Sequence, residues 1–215
     1  MISGAEELGY EYVGISDHSR SAAYAHGLSE EKVLQQRKEI DKLQKKFPGV
    51  MVFQGIESDI LSDGSLDYSE SFLKNFDFVI ASIHSQMRMG RSEMTKRICR
   101  ALKNPATTWL GHWTGRLLLG REPFEFDMEE VLKTAAGEGK SIELNASPFR
   151  LDIDWRILPR LQELGIPIGI HPDAHSTGGL GDTRFGVWMA RKAGYTAKEV
   201  LNTRSREEMA RWLET

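Results

Sequence analysis

Five short apolar segments of the chain end in histidine or a carboxylate, the residue types that bind metal ions or transfer protons. The residues at these ends are Asp17-His18, Glu57, His84, His112 and the pair Asp173 and His175. One such residue is a weak signal, because surface loops carry histidines and acids by chance. Repetition at five ends is a stronger one, since the carboxyl ends of parallel strands meet at one face of a barrel. The spacing therefore predicts one shared site.

The side-chain types predict which metal such a site would hold. Imidazole nitrogen and carboxylate oxygen, without thiolates, suit Zn²⁺, Mn²⁺ or Fe²⁺. Glu57, His84 and His112 come from three consecutive segments, and two imidazoles with one carboxylate leave a coordination position for water. A metal held in this way lowers the pKa of its water and polarises a phosphoryl or carbonyl oxygen. Glu57 has two carboxylate oxygens and could bridge two metals.

Two further histidines carry a weaker signal. His26 lies in the loop Ala25-His26-Gly27, where a solvated surface residue is the simpler interpretation. His171 precedes Asp173 by two residues, so strand alternation places both on one face. Either His171 contacts a metal-binding residue without binding the metal itself, or it has no part in the site.

Arginines accumulate in the loops after every predicted strand except the one that ends at Glu57. They are Arg20, Arg88, Arg91, Arg116, Arg121, Arg150 and Arg184. These loops contain no lysine, and arginine is suited to planar, bidentate contact with phosphate. The pattern favours a phosphate-bearing substrate, whereas the alternative is that these arginines pack the loops and form salt bridges.

Composition excludes several classes of protein. The 215 residues fit one domain, 40% hydrophobic and 27% charged residues are ordinary for a globular protein, and the net charge of −3 gives no basic field for nucleic acid. Cys99 is the one cysteine, which excludes an intramolecular disulfide and a cysteine-rich zinc site. No apolar segment is long enough to span a membrane, and residues 1–7 lack a signal-peptide pattern. We expect a cytoplasmic protein.

The elements that must position these residues alternate regularly between strand and helix. Strands are predicted over 11–17, 50–57, 77–84, 107–112, 141–145 and 166–171. Helices are predicted at the start of the chain, over 29–47, 68–75, 92–103, 127–138, 154–165 and 182–193, and from 205. This order predicts one α/β domain with a parallel sheet. Because candidate ligands follow nearly every strand, we favour an incomplete (βα) barrel over an open sheet that collects ligands at one switch point.

Several of these segments resemble the motifs of the PHP (polymerase and histidinol phosphatase) superfamily. They are Gly14-Ile15-Ser16-Asp17-His18-Ser19, Gly55-Ile56-Glu57-Ser58-Asp59-Ile60, Ser82-Ile83-His84-Ser85, Gly111-His112-Trp113-Thr114-Gly115-Arg116-Leu117-Leu118 and Pro172-Asp173-Ala174-His175-Ser176. The fourth motif and the loop 145–152 resemble the PHP domain at the C-terminus of family X DNA polymerases most closely. The resemblance covers 1–215 and implies a distorted (βα)₇ barrel with up to three metals. It also implies Mn²⁺- or Zn²⁺-dependent phosphoesterase activity, such as 3′–5′ exonuclease, 3′-phosphatase or abasic-site cleavage.

The resemblance also implies roles for individual residues. Glu57 would bridge two metals, with His84 and His112 completing one site and Asp173 serving the other, and His18 and His175 would share the third. The residues expected in catalysis are Glu57, Asp173 and Arg116. The residues expected to bind phosphate are Arg20, Arg116, Arg150 and Arg184.

Two features depart from the family pattern. Trp113 stands where the branch usually has proline. The family's first strand, with its His-x-His, does not occur, so three of the usual nine ligand positions and one barrel strand are missing, and no polymerase domain is present. We therefore expect two sheet edges, at 12–16 and 166–170, and either a homodimer across the gap or a polymerase domain that supplies the strand.

Three functions follow as alternatives. The first is a phosphoesterase acting on DNA 3′ ends, abasic sites or small phosphomonoesters. The second is a non-catalytic, weakly metal-binding module of a family X DNA polymerase. The third is a metal-dependent amidohydrolase, which is disfavoured because such barrels usually carry a carboxylated lysine and no lysine ends a strand here.

Overall fold

The chain folds around one parallel sheet that curls into a half-barrel. The computed structural model describes residues 1–22 and 25–214. Within them the sheet has six strands in sequential order: β1 (Tyr12–His18), β2 (Met51–Asp59), β3 (Phe78–Ser82), β4 (Trp109–Leu110), β5 (Ser141–Asn145) and β6 (Ile168–His171). All neighbouring pairs are parallel. The predicted α/β class with a barrel-like sheet is confirmed.

Helices follow the strands, as parallel pairing requires a crossover between them. They are α1 (Ile2–Glu7), α2 (Glu30–Lys46), α3 (Glu70–Leu73), α4 (Arg91–Leu102), α5 (Met128–Gly137), α6 (Leu158–Glu163), α7 (Thr183–Lys192) and α8 (Arg206–Leu213). Short 3₁₀ turns cover Thr177–Asp182, Ala197–Glu199 and Leu201–Thr203. Ser29 begins α2 by accepting a hydrogen bond from the Lys32 N–H, and Ser205 begins α8 with a reciprocal capping box. None of the helices in the described ranges is long and apolar enough to cross a membrane.

Two predicted boundaries are wrong for local reasons. The strand predicted over 107–112 pairs only at Trp109–Leu110, and the backbone turns at His112, whose φ is 20°. The helix predicted from 154 begins at Leu158. Asp154 accepts a hydrogen bond from the Arg156 N–H at 3.0 Å, so it forms a local turn rather than a helix cap.

Strand alternation divides the sheet into an outer and an inner face. Outward residues such as Ile56, Val79 and Leu144 are buried in the main core beneath the helices. The inner face is aromatic at the amino ends of the strands, where Phe53, Phe78, Ile80 and Trp109 pack with Leu201 and Met209. Gly55 leaves room for this layer, because a Cβ there would lie 2.2 Å from the Phe78 ring. The carboxyl ends of the strands are left for polar side chains.

The two edge strands differ in what lies against their outer edges. The outer edge of β6 is covered: Val200 forms a bridge with Ile168, and the Asn202 side chain accepts from the Ile170 N–H at 2.6 Å and donates to its carbonyl at 3.0 Å. All seven residues of β1 instead line a cavity of about 1670 Å³ that reaches across to the loop after β6. The half-barrel is therefore open between β1 and β6.

Candidate metal centre

Four of the predicted ligands lie together at the carboxyl ends of β1 to β4. His18 is the last residue of β1 and pairs in register with Glu57 on β2. His84 lies two residues beyond β3, on the same inward face as Phe78 and Ser82 by strand alternation. His112 follows β4, and its positive φ departs from the alternation that β4 would impose.

The ligand atoms of three of these side chains form a compact triangle. The Glu57 Oε1 atom lies 2.8 Å from His112 Nε2 and 3.3 Å from His84 Nε2, and the two Nε2 atoms are 3.3 Å apart. Ligands bound to one tetrahedral Zn²⁺ at about 2.0–2.1 Å stand about 3.3 Å from one another. The triangle therefore has the size that a single divalent metal requires.

His18 approaches the other oxygen of the same carboxylate. Its Nδ1 atom lies 3.2 Å from Glu57 Oε2, and its ring centroid is 4.9 Å from that of His84. His18, Glu57 and His84 also form a group whose possible ligand atoms all lie within 4.8 Å of one another. Glu57 thus presents one oxygen to His84 and His112 and the other to His18, the arrangement of a carboxylate that can bridge two metals.

Asp59 contacts the ring nitrogen of His84 that points away from Glu57, a role that the sequence analysis did not assign. Its Oδ1 atom is 2.5 Å from His84 Nδ1, and its Oδ2 atom accepts a hydrogen bond from the Ser21 hydroxyl at 2.7 Å. A carboxylate on the distal nitrogen of a metal-binding histidine fixes the ring and leaves Nε2 toward the metal. The spacing Glu57-x-Asp59 within one strand, which puts both on the same face, was the signal that could have found it.

The same contacts shift the pKa values of the group. Burial alone would lower the pKa of His84, but the Asp59 and Glu57 carboxylates raise it to about 9. Burial opposes ionisation of Glu57 too, yet hydrogen bonds with His112 and His84 hold its pKa well below the usual value. For His18, burial outweighs the Glu57 charge and lowers the pKa. Without metal, a proton on His84 between two carboxylates therefore supplies the positive charge of the centre.

A second polar group lies beside the first, on β5. Glu143 is 4% exposed on the inner face; its Oε2 atom accepts from the His112 backbone N–H at 2.5 Å, and its Oε1 atom is 3.0 Å from His171 Nδ1. His171, left open by the sequence analysis, thus pairs with a carboxylate that also holds the His112 backbone. Glu143 is the second residue that sequence reasoning missed, although a carboxylate in an otherwise buried strand is a recognisable signal.

Asp173 and His175 lie on the far side of the opening and have fewer ligand partners. Asp173 accepts from Asn145 Nδ2 at 3.2 Å and lies 3.3 Å from Arg150 Nε. His175 bonds the Asp173 carbonyl at 2.9 Å, its side chain is 77% exposed, and its ring centroid is 6.5 Å from that of His18. The structure does not bring these two residues into the triangle around Glu57.

The four arginines predicted to bind phosphate have different surroundings. Arg116 donates to the Arg150 and Leu151 carbonyls and contacts Asp154. Arg20 pairs with Asp67 and Glu30.

Arg184 is exposed and its guanidinium lies over the Phe185 ring. Arg150 alone among the four contacts a candidate metal ligand, Asp173. Its Nη1 atom is buried without a hydrogen-bond partner in the described structure.

Comparison with known proteins identifies the relatives of the chain. The DNA polymerase/3′-5′ exonuclease PolX of Bacillus subtilis is 39% identical over 213 residues, which are 99% of this chain and 37% of that protein. A probable phosphatase of Caldicellulosiruptor saccharolyticus is 31% identical over 189 residues, 81% of this chain and 72% of that protein. A probable phosphatase of Thermoanaerobacter sp. is 33% identical over 171 residues, 75% of this chain and 67% of that protein. A scan against protein-family models found no match.

The fold has a counterpart among solved structures. Histidinol phosphate phosphatase of Lactococcus lactis, solved with zinc, L-histidinol and phosphate, superposes with a TM-score of 0.59 at 17% identity. The superposition covers 91% of this chain and 86% of that one. The half-barrel of parallel strands and the relatives among phosphatases and PolX agree with the motifs in the sequence. The chain belongs to the PHP (polymerase and histidinol phosphatase) superfamily.

Proposed function

We propose that this chain is a metal-dependent phosphoesterase. The observation that carries the proposal is the triangle of Glu57 Oε1, His84 Nε2 and His112 Nε2, with separations of 2.8–3.3 Å. A bound Zn²⁺ or Mn²⁺ would supply a water of lowered pKa and polarise a phosphoryl oxygen. The phosphatases and the PolX protein among the relatives support phosphate-ester hydrolysis as the reaction class.

Different residues of the centre would bind different metals. Glu57, His84 and His112 would hold one metal, and His18 with the second oxygen of Glu57 would contribute to another. With metal bound, Asp59 would accept the Nδ1 proton of His84, so that Nε2 would face the metal unprotonated. Asp173 would complete a further site only with ligands from outside the triangle.

Arg150 is the arginine best placed to hold the substrate phosphate. Its Nε atom lies 3.3 Å from Asp173 Oδ2, and its Nη1 donor is buried without a partner within the described residues. A buried guanidinium donor without a partner costs free energy that a bound phosphate oxygen would recover. Arg116 supports this arrangement because it donates to the Arg150 and Leu151 carbonyls. We therefore assign Arg116 a positioning role and propose phosphate contact for Arg150.

The surroundings of Arg150 favour a nucleotide over a small phosphomonoester. The neighbouring Phe149 is 73% exposed, and its loop is held by a hydrogen bond of 2.8 Å from the Leu118 N–H to the Phe149 carbonyl. Stacking of a base on an aromatic ring contributes about 1–3 kcal/mol without regard to sequence. A DNA 3′ end, with its terminal base on Phe149 and its phosphate at Arg150, is the substrate we favour among DNA ends, abasic sites and small esters.

Phosphate release tests this proposal. The assay uses a 3′-phosphorylated oligonucleotide with added Mn²⁺, and p-nitrophenyl phosphate as the small ester. We expect hydrolysis of the oligonucleotide that is lost with chelator and with Glu57→Gln. Phe149→Ala should lower kcat/KM for the oligonucleotide about tenfold and leave the small ester unchanged. Metal binding without turnover of any phosphate ester would contradict the proposal.

A second function is favoured by one observation: no strand of the described residues pairs with the outer edge of β1. All of β1 lines the open cavity, and unpaired strand edges pair readily with other chains. In this alternative the chain is a metal-binding module that joins a polymerase domain, or a second copy of itself, through a strand placed between β1 and β6. A peptide with the family's His-x-His strand should then bind and raise the metal stoichiometry. Turnover that appears with the peptide favours the enzyme; metal uptake without turnover favours the module.

A further inference from the structure

Two buried polar atoms at or next to the turn that carries His112 have no hydrogen-bond partner in the described residues. Asp152 is fully buried, and its Oδ2 atom accepts from the Thr114 backbone N–H at 3.1 Å. Its Oδ1 atom has no hydrogen-bond partner in the described residues, and neither does His112 Nδ1. Buried polar atoms are nearly always paired, so these two unpaired atoms call for an explanation.

The two groups are close enough to act on each other electrostatically. Burial raises the pKa of Asp152, whereas the interaction with Thr114 and the charge of His112 oppose that shift. Thr114 lies two residues beyond His112, in a turn closed by the Gly115 N–H on the His112 carbonyl at 2.9 Å. Asp152 therefore holds the same turn that carries His112.

We propose that Asp152 is the positioning residue of His112: it accepts the Nδ1 proton, so that Nε2 meets the metal unprotonated. The inference rests on the proposed metal centre and extends it. His84 and His112 would then be held alike, each by a buried carboxylate on its Nδ1 side. Asp59 makes that contact at 2.5 Å to His84, and we expect Asp152 to make the second contact when metal is bound.

Trp113 offers the competing interpretation of the unpaired oxygen. Its Nε1 donor is also buried without a partner in the described part of the chain. Its ring packs against Phe126 with centroids 5.2 Å apart, within the main core. If Asp152 served Trp113 instead, its role would be confined to packing.

The substitution Asp152→Asn distinguishes these roles because it preserves shape. The Thr114 N–H still needs an acceptor, so the asparagine oxygen should turn toward it. The amide NH₂ then faces His112 Nδ1, which must accept a hydrogen bond and lose its proton. The proton of neutral His112 moves to Nε2, the atom that would bind metal.

Zinc affinity and the state of the His112 ring are the two measurements. Competition with a chromophoric chelator should show that Asp152→Asn binds Zn²⁺ about 10- to 100-fold more weakly than the unchanged chain. Trp113→Phe, the matched control, should stay within about twofold. In the zinc-loaded unchanged chain, ¹⁵N-edited NMR should show an exchange-protected His112 Nδ1 proton. Melting of the metal-free variants shows whether each is folded.

Each outcome decides between the alternatives. Equal zinc affinity of Asp152→Asn and the unchanged chain overturns the inference but leaves the proposed function intact. Weaker binding by Trp113→Phe alone assigns the oxygen to Trp113 and also overturns it. If Asp152→Asn does not fold, the NMR measurement on the unchanged chain decides: a His112 Nδ1 proton that is neither protected from exchange nor shifted downfield by a hydrogen bond overturns the inference. Failure of the unchanged chain to bind zinc refutes the metal centre itself, and with it both proposals.

Discussion

The two halves of the half-barrel differ in how their polar side chains are held. At the ends of β1 to β4, His18, Glu57, His84 and His112 converge on one another at 2.8–3.3 Å. At the ends of β5 and β6, Asp173 accepts a hydrogen bond from Asn145 and forms a salt bridge with Arg150. His175 in that half is 77% exposed in its side chain.

The difference follows from the neighbours that each half has. Strands β2 to β5 are each paired on both sides, so the backbone fixes the direction of the side chains at their ends. Asp59 and Glu143 then fix the His84 ring and the His112 backbone. Asp173 and His175 face the opening between β1 and β6, where no strand of the described chain is present to meet them. Under the proposed function, the first half would be preorganised to bind metal, and the second would need further ligands.

Removal of the shared carboxylate should have the largest effect. Glu57→Gln keeps the shape of the side chain but replaces an oxygen that faces two histidines, so metal affinity should fall by more than about 100-fold, beyond the loss typical of an outer hydrogen-bond partner. Asp173→Asn should lower it by less than about tenfold. Isothermal titration with Zn²⁺ measures both. Equal losses in the two variants would contradict the difference between the halves.

A core substitution should separate folding from metal binding. Leu144→Ala truncates a fully buried residue on β5 and should lower the free energy of unfolding by about 2–5 kcal/mol. His112→Ala should abolish tight metal binding with a smaller change in the stability of the metal-free chain. Urea unfolding and metal analysis of both variants test this. An unfolded His112→Ala chain with unchanged metal stoichiometry would show that His112 is not a ligand.

The charge of His84 should make the metal-free chain less stable at high pH. Its pKa is raised from the ordinary value of 6.5 to about 9. A pKa raised by folding contributes stability that is complete below the unfolded value and is lost as pH rises through the folded one. Between pH 6.5 and 9 the free energy of unfolding with chelator present should fall by up to about 3 kcal/mol. His84→Asn should flatten this slope; an identical slope in that variant would assign the effect to other groups.

Two of the arginines predicted to bind phosphate should differ in their effect on substrate binding. Arg150→Ala removes a buried donor beside Asp173 and should raise KM for a phosphate ester about tenfold, the cost of one hydrogen bond to a charged group. Arg184→Ala should change KM by less than about twofold, since that guanidinium lies over Phe185. Steady-state kinetics on p-nitrophenyl phosphate compares the two. The reverse order would place the phosphate nearer α7.

The sequence predicted the fold better than it predicted the partners of polar side chains. Strand ends and their period of two placed His18, Glu57 and His84 on one inner face, because these features depend on local backbone geometry. Asp59 on β2 meets His84 beyond β3, and Glu143 on β5 meets the His112 backbone beyond β4, so both contacts depend on how the loops after neighbouring strands fold back. The spacing of residues along a strand does not carry that information.

The arginines show the same limit. Arg20, Arg116 and Arg150 lie in loops as predicted, whereas Arg91 begins α4 and Arg184 lies in α7. A long side chain also reaches partners that sequence position does not specify. Arg116 donates hydrogen bonds to two backbone carbonyls, and Arg20 forms a salt bridge with Asp67. Arg150 differs only because its loop places it against Asp173.

Metal positions in a zinc-soaked crystal test the account most directly. Anomalous scattering at the zinc edge should give its strongest peak within about 2.0–2.2 Å of Glu57, His84 and His112, with a weaker one or none beside Asp173. Occupancy should follow that order as zinc concentration falls. A peak found only between His18 and His175, or only at Asp173, would contradict the claim that Glu57, His84 and His112, in the half formed by β1 to β4, are the preorganised metal centre.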